Sequence, residues 1–294
     1  MAKTNTKELI KRFNLKLTKS LGQNFLNDDN VVGKIVDAAN VTGKDLVIEI
    51  GPGVGSMTRE LAERAGKVVA IEIDKYLIPA LKDILKEFNN VSLINEDVMK
   101  VKLKEIIDAN LSDSSTGSVF TSVKVVANLP YYITTPIIMK LLEENPGIDV
   151  MVFMVQKEVA ERMIAKAGGK DYGALSVAVQ YYSRPEIVFN VSPHCFIPQP
   201  EVESTVIRLE IHKVPPVQLS DKDTFFKVVK ASFGQRRKTL VNALTNSGNF
   251  NLTKQEISET LKTMNIEEKQ RGETLSIVQF AQIANSFYHN IVKK

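Results

Sequence analysis

Leu46-Val47-Ile48-Glu49-Ile50-Gly51-Pro52-Gly53-Val54-Gly55-Ser56 decides how the rest of this chain is read. Residues 46–50 have the composition of a buried strand. A glycine turn follows, and then a helical pattern from Met57 to Ala65. Such a turn between strand and helix lets a ligand approach the backbone closely at a helix N-terminus. The spacing is G-x-G-x-G, whereas a pyrophosphate-binding turn wants G-x-G-x-x-G. A dinucleotide is the poorer fit.

Downstream, Val68 to Ile73 reads as a second strand carrying Glu72 near its end. An acid about twenty residues beyond such a turn accepts hydrogen bonds from ribose hydroxyls. Glu49 and Asp74 compete with Glu72 for that role. A third strand, Val91 to Asn95, ends in Glu96-Asp97, where a carboxylate suits an adenine amino group. A fourth, Val123 to Ala127, delivers Asn128-Leu129-Pro130-Tyr131. Singly, these are a tight turn and some solvated carboxylates, the commoner state of that group. In series, they are four strand ends carrying ligand groups, and open α/β sheets bind at the carboxyl ends of their strands. The set points to an adenosyl cofactor.

Asn-Leu-Pro-Tyr at a strand end suits alkylation of an exocyclic amino nitrogen on a base. That nitrogen is a poor nucleophile because its lone pair is delocalised into the ring. The Asn128 side-chain carbonyl and the Leu129 backbone carbonyl can accept its N–H protons, localise the lone pair and aim it. Pro130 fixes the turn, and the Tyr131 ring offers a face for the base. No histidine or cysteine is needed. His194, His212 and His289 have no metal-site spacing, and Cys195 reads as a packing residue.

These stretches resemble the ribosomal RNA small-subunit adenine dimethyltransferases, a family of S-adenosylmethionine enzymes. The matching segments are 22–26, 49–53, 72–74, 96–97, 128–133 and 196–204, extended by 155–160 and 235–240, so the likeness runs from about Leu21 to Leu244. The resemblance implies a Rossmann-like, mostly parallel α/β sheet with an antiparallel strand, plus a small C-terminal all-helical domain. It implies S-adenosylmethionine as cofactor. Asn24 and Leu26 would close over it, Gly51 would sit by its methionine portion, Glu72 on the ribose and Asp97 at the adenine. Asn128 would border both cofactor and target amine. Tyr131 and Phe196 would flank the flipped adenine, since a stacked base hides its amino group. Glu201 stands where the family usually has a basic residue, and 111–122 is longer than the family needs.

The 294 residues suit one domain of about 200 and a smaller one. The expected division is a basic tail 1–20, a catalytic domain 21–213 and a helical RNA-contacting domain 214–294, with Lys213-Val214-Pro215-Pro216 as linker. Strands are expected at 46–50, 68–73, 91–95, 123–127, 148–155, 175–182 and 203–211. A further antiparallel unit joins 174–182 to 186–191 through Ser183-Arg184-Pro185. Helices are expected at 28–40, 56–66, 75–88, 134–144 and 157–166, then at 223–233, 237–246, 254–264 and 274–288.

The net charge of +4 is unevenly spread. Residues 1–20 carry +5, residues 21–213 carry −6 and residues 214–294 carry +5. Basic ends suit phosphate, which gives affinity without sequence choice. Arg236-Arg237-Lys238 is the sharpest cluster and the expected RNA contact. One cysteine fits a reducing cytoplasm, no apolar run reaches transmembrane length, and the first twenty residues are not a secretory signal. The expectation is a monomeric cytoplasmic enzyme, without metal or membrane. It would dimethylate N6 of two adjacent adenosines near the 3′ end of 16S RNA, late in assembly of the small ribosomal subunit. The alternatives are the related macrolide-resistance methyltransferase of 23S RNA and a non-catalytic ribosome assembly factor with the same fold.

Overall fold

The computed structural model describes residues 6–13, 15, 21–111, 120–235 and 237–292. Nine strands lie among them: β1 Phe25–Leu26, β2 Asp45–Ile50, β3 Lys67–Glu72, β4 Val91–Asn95, β5 Ser122–Asn128, β6 Val150–Gln156, β7 Ser183–Val191, β8 Phe196–Ile197 and β9 Ser204–Ile211. Seven form one sheet in the order β4-β3-β2-β5-β6-β9-β7, and β1 pairs with β8 separately. The pairs from β4 to β6 are parallel, and β9 runs antiparallel to β6.

The central strands are buried along nearly their whole length. Both faces are covered, so they read as continuous apolar runs rather than alternating ones. Strand order reverses between β2 and β5, the switch point at which a crevice opens beyond the carboxyl ends. At the opposite, amino end, Lys124 bonds Asp45 at 2.8 Å with both side chains almost fully buried.

The chain forms two compact units, 1–160 with 185–211, and 161–184 with 212–294. The first holds helices α1 Thr6–Arg12, α2 Asp29–Ala39, α3 Ser56–Arg64, α4 Ile78–Ile84, α5 Leu103–Leu111 and α6 Thr134–Glu144. Helix α7, Lys157–Ile164, carries the first boundary. The second unit holds α8 Ala174–Tyr182, α9 Lys222–Gly234, α10 Leu240–Asn246, α11 Lys254–Thr263 and α12 Ile277–Val292. Its core includes Phe225, Val228, Leu244, Ile257, Phe280 and Phe287. Asp221 caps α9, and Thr253 with Glu256 forms a reciprocal cap on α11.

Four expectations change. Residues 174–182 form a helix, not a strand. Leu175, Val177, Ala178, Val179 and Tyr181 are all buried, and a helix buried on all sides loses the period that distinguishes it from a strand. Gln180 bonds the carbonyls of Met163 and Ala165, so 161–184 packs within the second unit instead of the first. The basic tail is not wholly separate, because α1 puts Leu9 into a cluster with Phe25, Val54 and Leu81. Finally, the helix expected to open at 237 begins at Leu240, leaving Arg237 and Lys238 in an exposed connection. Arg236 and most of 111–122 lie outside the described residues.

Candidate active site

Beyond the carboxyl ends of β2 to β5 lies a cleft of about 990 Å³, its open mouth included. Gly51, Glu72, Asp97, Asn128 and Tyr131 all line it, as do residues 21–25 of the N-terminal segment. The sheet therefore gathers groups that the sequence spreads over more than a hundred positions.

Gly53 shows why the turn needs glycine. Its φ is +60°, and a Cβ there would meet the Phe25 ring at 2.9 Å. Its amide donates to Glu72 Oε2 at 3.3 Å, and the Asp74 amide donates to Oε1 at 2.8 Å. Glu72 is 4% exposed. Burial pushes its carboxyl up to about 7; the two amides pull it down and the nearby Asp74 raises it. Asp97 lies at the rim beyond β4, with Oδ1 accepting the Met99 amide at 2.9 Å. The buried Glu72 acceptor, a close-approach glycine turn and Asp97 fit the ribose and adenine of an adenosyl group.

Of the two competitors for the ribose, Asp74 is committed elsewhere. Its Oδ2 accepts Gln23 Nε2 at 2.9 Å and its Oδ1 accepts the Tyr76 amide at 3.0 Å. Glu49 is fully buried, and burial pushes it up to about 8. Thr58 opposes that shift and Glu72 adds to it. Neither Glu49 oxygen has a partner at hydrogen-bond geometry among the described residues.

Asn128 ends β5, one register step beyond Ala127 in its pairing with β6. Its Nδ2 donates to the Asn24 carbonyl at 2.9 Å, which turns the side-chain carbonyl away as the remaining acceptor. Asn24 itself is folded back, its Nδ2 on the Gly22 carbonyl at 3.3 Å. The Tyr131 hydroxyl meets Ser204 Oγ at 2.6 Å, which fixes the ring. Burial raises this phenol above its ordinary value, and Ser204 opposes the shift.

Two expected residues do not line this cleft, although Leu26 lines a smaller pocket that shares Gly51, Gly53 and Asn128 with it. Leu26 is 8% exposed and Phe196 is 2% exposed. They face each other across the β1–β8 pair and sit in one apolar cluster with Val126 and Val206. With β1 in place the Phe196 ring has no open face for a base. Gln23 and Ser204 belong to the matched segments, but their partners Asp74 and Tyr131 lie 51 and 73 residues away. No spacing within the sequence announces either contact. Cys195 contacts Asp28, and burial first, then that carboxylate, raises its thiol, so it carries no nucleophile. Among the described residues no three His, Cys, Asp or Glu side chains are grouped to hold a metal, and no helix is long and apolar enough to cross a membrane.

Glu72 gives a pH test. Hydroxyl donors favour the ionised carboxylate, so binding should lower its pKa and affinity should rise as pH passes about 7. S-adenosylmethionine affinity, measured by calorimetry, is expected to strengthen severalfold from pH 6 to 8. Glu72→Gln should flatten the profile and cost roughly tenfold. A flat profile in the parent protein would remove Glu72 from the ribose.

A switch-point cleft lined by a glycine turn, a buried carboxylate and a strand-end asparagine has the groups that define an S-adenosylmethionine-dependent methyltransferase. The family model described as ribosomal RNA adenine dimethylase matches residues 14–283. The chain belongs to that family and is an S-adenosylmethionine-dependent ribosomal RNA adenine dimethyltransferase. It is 52% identical to the ribosomal RNA small subunit methyltransferase A of Alkaliphilus oremlandii, over 98% of this chain and 96% of that one. It is 53% identical to the protein of that name from Clostridioides difficile, over 95% and 94%. Among solved structures it is similar to a dimethyladenosine transferase from Plasmodium falciparum, with TM-score 0.74, 27% identity and 90% and 98% coverage. The 23S rRNA methyltransferase ErmE shares the fold, with TM-score 0.65, 24% identity and 90% and 100% coverage.

Proposed function

We propose that this protein dimethylates N6 of two adjacent adenosines near the 3′ end of 16S RNA, late in assembly of the small subunit. We also infer that it acts in the cytoplasm as a monomer. The observation that carries the reading is Asn128, whose amide is held by Asn24 in the same cleft as Glu72. The cofactor supplies a methyl group on a sulfonium, a good leaving site. What remains for the chain is positioning. The Asn128 and Leu129 carbonyls accept hydrogen bonds from the amine, which has two N–H groups before the first transfer and one before the second, and so localise the nitrogen lone pair. The Tyr131 ring, fixed through Ser204, supports the base and favours positive charge developing on the amine. Relatives more than half identical over nearly the full chain carry the small-subunit name, which favours that RNA over the large-subunit one.

Mass spectrometry of both ribosomal RNAs, from cells with and without the protein, tests this directly. Dimethyladenosine should vanish from the small-subunit RNA alone. Loss from the large-subunit RNA would overturn the reading.

Exposed Arg237 and Lys238 are proposed to hold phosphates. Replacing both with Gln should make the salt dependence of small-subunit binding shallower, by at most roughly 1.4–1.8 in slope. S-adenosylmethionine affinity should not move. An unchanged slope would make the pair structural.

A further inference from the structure

The mouth of the cleft carries an aromatic ring that methyl transfer itself does not use. Tyr132 lines the cleft beside Tyr131 but is 57% exposed, whereas Tyr131 is partly buried and tied to Ser204. An exposed tyrosine needs a reason when it stands at a substrate entrance. Gly22 lies against one edge of it. That glycine has φ +58°, and a Cβ on it would lie 3.2 Å from the Tyr132 ring. The N-terminal segment thus backs one side of the ring and leaves another to solvent. Ile73, 49% exposed and also lining the cleft, extends the same apolar rim.

A flipped adenine entering toward Asn128 must bring its chain neighbours to this rim. Flipping unstacks those neighbours, and an unstacked base exposes an apolar face that stacks on exposed aromatic rings. We propose that Tyr132 stacks the nucleotide adjoining the target adenosine and holds it while its neighbour is methylated. This rests on the RNA reading above and deepens it, since the proposed substrate is two adjacent adenosines. Tyr132 would then contribute to recognising the pair, with no part in activating the amine.

The test uses the full chain, S-adenosylmethionine and small subunits lacking dimethyladenosine. Tyr132→Leu keeps an apolar contact for Gly22 but removes the stacking face; Tyr132→Phe retains the face. Tyr76→Leu removes a ring 73% exposed that does not line the cleft, as a comparison. Stacking is strong enough that Leu should raise KM for the subunits by roughly five- to a hundredfold. Its kcat should stay within about twofold, and its cofactor affinity by calorimetry should match the parent. Phe and the Tyr76 variant should behave as the parent. Parent-like KM in the Leu variant overturns the proposal. So does a parallel fall in cofactor affinity, which would make the ring a wall of the cofactor site. An inactive parent on these subunits would instead sink the RNA reading, and this inference with it.

Discussion

Glu49→Gln is expected to melt well above the parent protein at pH 9 and close to it at pH 5. The reason is a carboxyl buried to 0% exposure in β2, neither of whose oxygens meets a partner at hydrogen-bond geometry among the described residues. Burial above all raises it to about 8 from an ordinary 4.5, with Thr58 opposing the shift and Glu72 adding to it. A folded-state pKa above the unfolded one means that the native state binds more protons between those values. Stability therefore falls as pH climbs from about 4.5 to 8 and levels off above. The full span corresponds to at most about 5 kcal/mol. Relaxation around the charge reduces it. Gln has the same shape and no charge, so it removes the loss. A cofactor-free melting series should show a gap that opens with pH, reaching on the order of 10 °C. A gap constant with pH would mean that Glu49 titrates normally. Such a residue is a liability for folding, as strained polar groups at functional sites tend to be.

Asn128→Ala should remove most of the chemistry and little of the binding. Losing one preorganised polar group aimed at a reacting atom costs roughly a hundred- to a thousandfold in rate. RNA affinity, dominated by phosphate contacts, should change by less than about threefold. Methyl transfer and gel-shift on the same immature subunits give the comparison. Cofactor affinity is the necessary third measurement, because Asn128 also holds the Asn24 carbonyl. If transfer and cofactor binding fell together, the amide would serve only to anchor the N-terminal segment. Near-normal transfer would refute its role outright.

The parallel sheet and its cofactor edge were legible because each strand–turn unit is local. Apolar runs, a glycine turn and an acid at the strand end all lie within about thirty residues of one another. Glu72, Asp97 and Asn128 could be named on that basis, and all three line the cleft. Tyr131 was also legible, but its orientation depends on Ser204 in β9, a partner known only once β9 folds back against β6. Phe196 does not line the cleft in this structure for the same reason. Its motif is local, but its burial is set by β1, 170 residues earlier in the chain.

The chain by itself determined most of the alternation of strands and helices, the choice of an adenosyl ligand over a dinucleotide, and the place of Asn128 at a strand end. These follow from φ preferences, apolar period and functional-group chemistry, which act over a few residues. Tertiary structure alone decided that 174–182 is a helix. Its run is buried on nearly every side, Ser176 included, so its period is weak, and the neighbours that bury it choose the conformation. It alone decided that Asp74 serves Gln23 while Glu72 lines the cleft, and that Glu49 is fully buried with no partner at hydrogen-bond geometry among the described residues. Hydrogen-bond partners and desolvation depend on groups distant in sequence, and only packing brings those together.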